Sequence, residues 1–225
     1  EHDMNPLRLT VRDLAGLTTR RPVTGGVPLA QGEAPEGTRF ALADAAGSPV
    51  PLQTSVLARW QDGSVRWLLL DFQAAPAAGG QAEYALTGDR APVTDRGAGG
   101  APQQPAAALT GPCGPGLAFG SASIVPGSPV LLEIAQRLEL SLVMTDGDGQ
   151  SCSAVTESVA IEVRGSQRAT LCLQGAFRDE AGRRRFQVRL RASIFAGLPF
   201  VRLEPLIIVD PGTGIMQHVR ELGLV

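Results

Sequence analysis

The clearest hydrophobic pattern of the chain lies in residues 56–72, where two β-prone apolar runs are separated by Asp62-Gly63. An Asp-Gly pair between such runs favours a two-residue primed turn, because both residues tolerate positive φ and the turn matches the twist of the strands. Both faces of the hairpin would be largely apolar, so we expect it to be buried on two sides, as in a small closed barrel. The turn predicts these facing pairs: Gln61 with Ser64, Trp60 with Val65, Arg59 with Arg66, and Ala58 with Trp67.

Short alternating segments on either side of this hairpin predict further strands. Apolar and polar residues alternate over 6–11 and 38–44, and shorter β-prone segments cover 50–53 and 82–86. Residues 24–33, which contain three glycines and a proline, are predicted to form a loop with tight backbone turns. About six short strands within roughly ninety residues are typical of a small β-barrel, which we place at residues 5–88.

The composition changes after the predicted barrel. Residues 89–108 are rich in Gly, Ala and Pro without an apolar period, and we interpret them as a linker. The longer alternating segments that follow predict an antiparallel β-sandwich over residues 109–225. Residues 219–225 have the pattern of a new strand, so we expect the sandwich to be truncated at its C-terminus. The fold class is therefore predicted to be all-β, a small barrel followed by a partial sandwich.

Several local features of the predicted sandwich can be checked against a structure. The alternation over residues 169–178 is that of a half-buried strand, and residues 179–182 are predicted to form a hairpin loop. Pro205 indicates a bulge or an edge strand, because proline cannot donate a ladder hydrogen bond. The predicted strands of this half are 130–134, 138–144, 158–164, 169–178, 186–194 and 201–209.

Composition excludes some partners and some chemistry. The formal net charge of −2 argues against a nucleic-acid surface, which needs a basic patch. No apolar run approaches the ~20 residues of a membrane span, so we expect no membrane partner. All twenty basic residues are arginine. The chain therefore has no lysine to act as a Schiff-base nucleophile or a general base.

The three cysteines, Cys113, Cys152 and Cys172, lack the spacing of a metal site and leave one thiol unpaired in any disulfide scheme. Cys152 and Cys172 could be cross-strand neighbours, but free buried thiols are the favoured interpretation. Glu1-His2-Asp3 is not an apolar leader, so residue 1 is expected to be a processed or cut end. Neither feature assigns the chain to a secreted, periplasmic or cytoplasmic location.

Residues with familiar catalytic or metal chemistry are sparse. The chain has no Gly-x-Ser-x-Gly segment, and its two histidines are His2, near the terminus, and His218, in a segment that we interpret as a loop entering a strand. Asp146-Gly147-Asp148-Gly149 resembles the opening of a calcium loop with Glu157 at its twelfth position, but the intervening residues favour a hairpin turn. We therefore predict no catalytic residue, no metal site and no cofactor.

Arg59 and Arg66 are the candidate ligand-binding residues. Like charges that face each other across a strand pair are destabilising unless an anion lies between them. The structural interpretation, which we favour, gives the two arginines intramolecular partners; the functional one gives them a ligand carboxylate, such as a uronic acid, or a carboxylate of a neighbouring domain. A second arginine cluster, residues 183–185, is interpreted as a solvated hairpin end rather than a binding patch. The carboxylates available to Arg59 and Arg66 include Asp44, Asp62 and Asp71.

Three segments of the first half, residues 24–33, 50–53 and 57–72, together resemble the amino-terminal domain of the exo-rhamnogalacturonan lyase family of polysaccharide lyases. In that family a RIFT-type β-barrel precedes a central β-sandwich and a C-terminal α/α toroid. Residues 175–179, 195–204 and 221–224 resemble the central sandwich. The resemblance thus implies a RIFT-type barrel followed by part of the sandwich, and its most specific part is the tryptophan hairpin.

For the full-length enzyme, the resemblance implies β-elimination at a uronic acid in a pectin-like or rhamnose–glucuronate glycan. Such a reaction needs an arginine or a cation beside the uronate carboxylate and a base near C5. The toroid, which should carry much of the active site, lies outside this chain, and its single tyrosine, Tyr84, is in a predicted barrel strand. The favoured function is a non-catalytic N-terminal scaffold whose partner is the downstream toroid of the same polypeptide, with a uronate-containing polysaccharide as a further partner.

Two other functions remain open at this point. A free-standing carbohydrate-binding or protein-interaction module is the first, but aromatic residues for sugar stacking are few and the two tryptophans are predicted to be buried. A complete enzyme that works with arginine and carboxylates alone is the second. Helical periodicity in the coding sequence beyond residue 225 would favour the scaffold, whereas a stop codon there would favour the module.

Overall fold

A computed structural model describes residues 4–90, 117–118, 139–140, 142–163, 165–198, 200–209 and 218–224. These residues divide into two compact units, one formed by residues 4–90 with 165–167 and the other by the remaining described residues. Every regular element among them is a β-strand, and the pairings within their sheets are antiparallel, which confirms the all-β class. Most of the predicted linker, from residue 91 on, and the predicted strand 130–134 lie outside the described residues, and the predicted domain boundaries stay predictions.

The first unit contains two sheets packed around one core. Their strand orders are β1-β7-β3-β4 and β2-β6-β5. Alternate residues of the central strand β6 point into the core, with Leu68, Leu70 and Phe72 fully or almost fully buried. This arrangement confirms the predicted small barrel. The strands are β1 (Leu7–Arg12), β2 (Arg21–Pro28), β3 (Thr38–Asp44), β4 (Pro49–Val50), β5 (Leu52–Arg59), β6 (Val65–Ala74) and β7 (Gln81–Arg90).

Strand β2 corrects one prediction, since residues 24–28 belong to it rather than to a loop. Gly25 and Gly26 pair with Leu70 and Leu69 of β6 along an uninterrupted register. Proline and glycine are tolerated there because β2 pairs only with β6 and so lies at the edge of its sheet, and because Pro28 is its last residue. The glycines and the proline of this segment therefore indicate an edge strand rather than the absence of a strand.

The turn of the tryptophan hairpin also differs from the prediction. Gly63 has a φ of 83°, but no non-glycine residue in the described part of the chain has positive φ, so Asp62 does not adopt the conformation of a primed turn. The N–H of Trp60 donates to the carbonyl of Ser64 (2.9 Å), and the N–H of Gly63 donates to the carbonyl of Trp60 (3.0 Å). This is a three-residue loop with glycine in the left-handed position, the next most common hairpin connection.

The different loop changes the register of the hairpin. Arg59 pairs with Val65 and not with Arg66, while Ala58 pairs with Trp67 as predicted. One extra residue on each strand, Leu57 on β5 and Arg66 on β6, accounts for the two register shifts. The predicted facing of Arg59 and Arg66 is therefore wrong, and so is the predicted burial on both sides, because Leu57 is 59% exposed and Trp67 40% exposed.

Three other hairpins in the two units close with the same loop, which we call the Asp-x-x-Gly loop. In each, an aspartate N–H donates to the carbonyl four residues on, and a glycine at positive φ donates to the carbonyl of that aspartate. The aspartate Oδ1 also accepts the N–H of the residue after the glycine. The loop thus satisfies its own backbone groups. Its three copies begin at Asp44, Asp146 and Asp179.

The second unit is built on one long antiparallel sheet with the order β14-β13-β12-β11-β10-β15, beside a short ladder of β8 and β9. One face of the long sheet holds a core that includes Leu171, Leu173 and Leu190. Pairing this sheet with a second one into a sandwich stays a prediction. The strands are β8 (Leu117–Ala118), β9 (Glu139–Leu140), β10 (Leu142–Asp146), β11 (Ser151–Val163), β12 (Arg168–Asp179), β13 (Arg184–Phe195), β14 (Val201–Ile208) and β15 (Val219–Leu224).

The long sheet confirms several predictions and corrects one. Pro205 lies in the edge strand β14, residues 179–182 lie in a hairpin loop, and the segment from Val219 forms the opposite edge strand β15. Strand β12, however, is not half-buried. Cys172 and Ala176, on the face opposite Leu171 and Leu173, are also buried, because β12 is an inner strand flanked by longer side chains.

Candidate functional site

The tip of the tryptophan hairpin is held against the segment that follows β2. The N–H of Val65 donates to the carbonyl of Ala34 (2.8 Å), and the N–H of Leu29 donates to the carbonyl of Arg66 (3.0 Å). The indole Nε1–H of Trp60 donates to the carbonyl of Leu29 (3.0 Å). Three hydrogen bonds between segments far apart in sequence therefore fix the tip, so the side chains that it carries are presented from a rigid support.

The carboxylate of Asp62, within the loop at the tip, is hydrogen-bonded to Ser64. Its Oδ1 accepts the backbone N–H of Ser64 (3.0 Å) and the Ser64 hydroxyl (2.6 Å). The Ser64 hydroxyl and N–H lower the pKa of Asp62 from its ordinary value, and this outweighs the opposing effect of desolvation. Asp62 is thus held as a carboxylate that closes a turn, which makes it a poor proton acceptor at neutral pH.

The two candidate arginines occupy separate positions on this support. The guanidinium of Arg59 donates from NH1 to the carbonyl of Gly63 (2.8 Å) and lies 3.7 Å from the carboxylate of Glu36. Arg66 instead lies over the ring of Trp60, with its guanidinium carbon 4.7 Å from the ring centroid. Both have intramolecular partners, as the structural interpretation predicted, although those partners are not the three aspartates that the sequence offered. Ligand binding by Arg59 and Arg66 stays a prediction.

Next to these arginines, the outer side of the hairpin presents an apolar surface, which we call the Trp67 surface. It consists of Trp67, 40% exposed, with the bulge residue Leu57 (59%) on the neighbouring strand. The indole ring packs over the backbone of Gly26, since a Cβ at that glycine would lie 3.5 Å from Cε3 of Trp67. The predicted burial of Trp67 is wrong, because Trp67 is next to the core residue Leu68 on β6 and therefore points to the outer side of the sheet.

The barrel site combines arginines with an exposed aromatic ring, an arrangement that suits an anionic ligand with an apolar ring face. Proton transfer has little support in the barrel. Its residues 4–90 contain no histidine, lysine or cysteine. Tyr84 is buried against the ring of Phe72, and burial raises the pKa of its hydroxyl.

Several other residues singled out in the sequence have structural roles. Asp146 begins an Asp-x-x-Gly loop, which confirms the hairpin turn over the calcium loop, and His218 is exposed just before β15. Cys152 pairs with Asp179 and Cys172 with Ala160, far apart along β11, so they are not neighbours; both are free and buried, as favoured. Cys113 and His2 lie outside the described residues.

The arginine cluster 183–185 forms ion pairs within its own sheet, as its interpretation as a hairpin end suggests. Its four ion pairs are Arg183 with Asp179 (2.9 Å), Arg184 with Glu157 (3.6 Å), and Arg185 with Asp179 (3.5 Å) and with Asp146 (3.6 Å). Within the described ranges, no group of three or more His, Cys, Asp or Glu side chains is placed to hold a metal ion. No helix among the described residues is long and apolar enough to cross a bilayer.

Sequence analysis missed the Trp67 surface and an arginine of the long sheet, Arg189. The apolar pattern of the hairpin does not show which of its two faces is left uncovered, so it does not predict the exposure of Trp67. Arg189 alternates with apolar residues like its neighbours on β13, so the lack of an acceptor for its Nε–H cannot be read from the pattern. A count of arginines and carboxylates on each strand is the sequence feature that could have drawn attention to Arg189.

Comparison with known proteins identifies the first unit. Residues 8–88 match the family of the PcRGLX-like N-terminal RIFT barrel domain. The match begins at the second residue of β1 and ends two residues before the end of β7, and it does not include the long sheet. No curated protein matches the chain. The resemblance of the tryptophan hairpin to the N-terminal barrel of rhamnogalacturonan lyase-like proteins is thereby confirmed for this segment. Residues 8–88, about a third of the chain, are thus similar to the PcRGLX-like N-terminal RIFT barrel domain.

Proposed function

We propose that this chain is the non-catalytic N-terminal portion of a rhamnogalacturonan lyase-like polysaccharide lyase. In this role the barrel and the long sheet support a downstream α/α-toroid domain of the same polypeptide, which carries the catalytic residues. The single observation that supports the proposal most is the match of residues 8–88 to a domain described as N-terminal. The substrate would be a uronate-containing glycan of the rhamnogalacturonan type.

The chemistry of the barrel agrees with a supporting role. β-Elimination needs a base near C5 of the uronate and a cationic group beside its carboxylate. Arg59 and Arg66 could supply the charge, but the nearby carboxylate of Asp62 is occupied by Ser64 and Tyr84 is buried. A binding surface whose nearby carboxylates are engaged, Asp62 by Ser64 and Glu36 by Arg59, is what a support domain would contribute to a shared substrate path.

A comparison of the chain with a longer polypeptide tests this proposal. Residues 1–225 and a version extended through the downstream coding sequence are incubated with rhamnogalacturonan, and the absorbance of unsaturated uronate is followed. We expect turnover by the extended protein only. Turnover by residues 1–225 alone, or an extended protein that lacks helical sequence and is inactive, would show that the proposal is wrong.

A second candidate function, a carbohydrate-binding module, is favoured by the exposure of Trp67. Exposed aromatic rings on a rigid sheet face are a common means of binding sugars. Trp67→Ala should abolish retention of the chain on an immobilised acidic glycan, Trp67→Phe should retain part of it, and Val56→Ala, which removes an exposed apolar side chain without a ring, should change it little. Equal retention of all variants would contradict this function.

A further inference from the structure

Strand β1 forms one edge of the four-stranded sheet of the barrel. It pairs only with β7, over six residues without a register shift. The N–H of Asp13 donates to the carbonyl of Gly80, which continues this register, so the odd-numbered residues of β1 are the ones hydrogen-bonded to β7. The backbone N–H and C=O groups of Arg8, Thr10 and Arg12 therefore point away from β7, towards the outer edge of the sheet.

The other edge strands of the three larger sheets, within the described ranges, each carry a feature that hinders the addition of a further strand. Strand β4 has only two residues, β5 contains the bulge residue Leu57, and β15 is joined to β10 through a register shift. Prolines interrupt β2 and β14. Strand β1 contains no proline, glycine or bulge, so its edge is the one best suited to pair with another strand.

The core of the barrel is incompletely covered along β1. Leu7 and Leu9 pack against the core but stay half-buried, whereas Leu86 and Tyr84, which face them on β7, are buried. Val11 is half-buried in the same way. Apolar side chains on a strand added beside β1 would remove this surface from water, which is favourable.

Arginines lie along the same edge, on the face of the sheet opposite the core. Arg8 and Arg12 are both exposed. Arg12 forms no ion pair with any described residue, and the carboxylate of Asp13, next in sequence, instead accepts three backbone N–H groups at 2.7, 2.9 and 3.1 Å. Arg8 lies 3.8 Å from Glu83, and both side chains are exposed. Exposed ion pairs are weak, so either arginine can bind a further carboxylate.

The arginines and the half-buried residues define the kind of strand that fits. A second copy of β1 is disfavoured, because antiparallel pairing of all its outward-pointing residues would set Arg8 opposite Arg12. A strand with carboxylates four residues apart would instead place one beside each arginine. Apolar residues next to those carboxylates would then cover Leu9 and Val11. The matching pattern is acidic, apolar, any residue, apolar, acidic.

We propose that the outer edge of β1 is a docking site for an extended acidic segment of a partner protein, which adds to the sheet as an antiparallel strand. Main-chain hydrogen bonds to Arg8, Thr10 and Arg12 provide the binding, and the two arginines select the acidic residues. This interaction is additional to the support of a downstream domain and does not depend on it.

Amide hydrogen exchange of residues 1–225, followed by NMR, tests the pairing. Without a partner, the N–H groups of Arg8, Thr10 and Arg12 should exchange rapidly, and those of Leu9 and Val11, which are bonded to β7, slowly. The peptide acetyl-Ser-Glu-Val-Thr-Val-Glu-Ser-amide should slow the first three by about tenfold or more and leave the other two unchanged. Slow exchange of the first three before the peptide is added, or no slowing at up to about 1 mM peptide, would overturn the proposal.

Two altered peptides separate strand addition from general attraction between charges. The central threonine of the peptide faces Thr10, so methylation of its backbone nitrogen removes a hydrogen bond to β1 but keeps both carboxylates. This change should weaken binding by about tenfold or more. Replacement of both glutamates by glutamine should weaken it by about threefold or more. Unchanged binding of the methylated peptide would overturn the strand addition, and unchanged binding of the glutamine peptide would overturn the choice of an acidic partner.

Variants of β1 provide the matching test on the protein. Thr10→Pro removes an outward N–H and no hydrogen bond to β7, a position at which an edge strand tolerates proline. It should weaken peptide binding by about tenfold or more, whereas Thr10→Val, which keeps the N–H, should change it by less than about twofold. Circular dichroism checks that both variants are folded. Full binding by folded Thr10→Pro would overturn the proposal.

The charge of the edge is tested in the same titration. Arg12→Met should weaken binding of the acidic peptide by about two- to fivefold. Arg39→Met, which removes an exposed arginine of β3, should leave it unchanged. An equal loss in both variants would show that only the net charge matters and would overturn the site. Dimerisation of the wild-type chain that protects the same three N–H groups without peptide would also overturn it, in favour of a second copy.

Discussion

The guanidinium carbon of Arg66 lies 4.7 Å from the centroid of the Trp60 ring, within one hairpin of the barrel. The bulge at Arg66 makes this contact possible, because it releases the arginine from the facing position that a regular register would give it. At the same time, the Trp60 ring is fixed by the hydrogen bond from its Nε1–H to Leu29. The pair therefore connects the turn, the bulge and the segment after β2.

The Trp60–Arg66 contact is expected to stabilise the barrel by about 0.5–1 kcal/mol. Arg66→Met and Trp60→Leu, alone and combined, measure this coupling through urea unfolding followed by circular dichroism. The same cycle with Arg8→Met, which removes an exposed arginine of β1, should be additive with Trp60→Leu. Additivity in the Arg66 cycle would show that the contact contributes nothing.

Gly175 of β12 is expected to be the least replaceable glycine of the long sheet. A Cβ at this position would overlap the carbonyl oxygen of Val155 and lie 3.1 Å from Cα of Thr156, where the register of β11 and β12 shifts. Gly175→Ala should therefore cost about 1–3 kcal/mol of stability in chemical denaturation. Gly25→Ala is the matched control, since a Cβ there meets nothing within 4 Å and φ is not positive; it should be neutral or slightly stabilising.

Stability of the long sheet should fall in acid because of Asp179. Burial acts to raise the pKa of Asp179, but hydrogen bonds from the Arg183 N–H and side chain, and the charges of Arg183 and Arg185, leave the pKa below its ordinary value of 3.8. A carboxylate whose pKa is lower in the folded state contributes stability above its unfolded pKa and loses it as the pH falls through the folded pKa.

Melting temperatures measured between about pH 6 and pH 2 check this expectation. Asp179→Asn should melt lower than wild type at pH 6 and show a smaller fall on acidification. Glu180→Gln, which removes an exposed carboxylate from the same loop, should follow the wild-type profile. Parallel profiles for wild type and Asp179→Asn would contradict the role assigned to Asp179.

Cys152 and Cys172 should not react with thiol reagents in the folded protein. Both side chains are buried, and burial raises the pKa of each thiol, with the nearby Asp146 and Glu162 acting in the same direction. In a Cys113→Ser variant, a chromogenic disulfide reagent should titrate no thiol in buffer and two in guanidinium chloride. Rapid reaction of either thiol in buffer would show that its strand opens.

Sequence reasoning was successful where local rules dominate. Most of the described strands, with β2 as the exception, the loop after Asp179 and the edge position of Pro205 follow from alternation and from the missing N–H of proline. It failed at the Asp62-Gly63 turn, because the carboxylate of Asp62 binds Ser64 two residues on and this favours a right-handed conformation at Asp62. That single choice shifts the register and thereby separates Arg59 from Arg66.

The remaining errors depend on the arrangement of strands in space. Gly25 and Gly26 are in a strand because β6 pairs with them, and Trp67 is exposed because it alternates with the core residue Leu68 and so lies on the outer face. Burial of Cys172 and Ala176 depends on the inner position of β12. None of these relationships is encoded within a window of ten residues, so periodicity alone could not predict them.

The Asp-x-x-Gly loop has a consequence for engineering. Because the bonds of each copy run between its own five residues, the connector at Asp44 or Asp146 does not depend on the identity of the strands that it joins. Insertions that lengthen the two strands of a hairpin by the same number of residues should therefore leave the hydrogen bonds of the loop intact. These tips are suitable points for grafting peptides or spectroscopic labels into either unit.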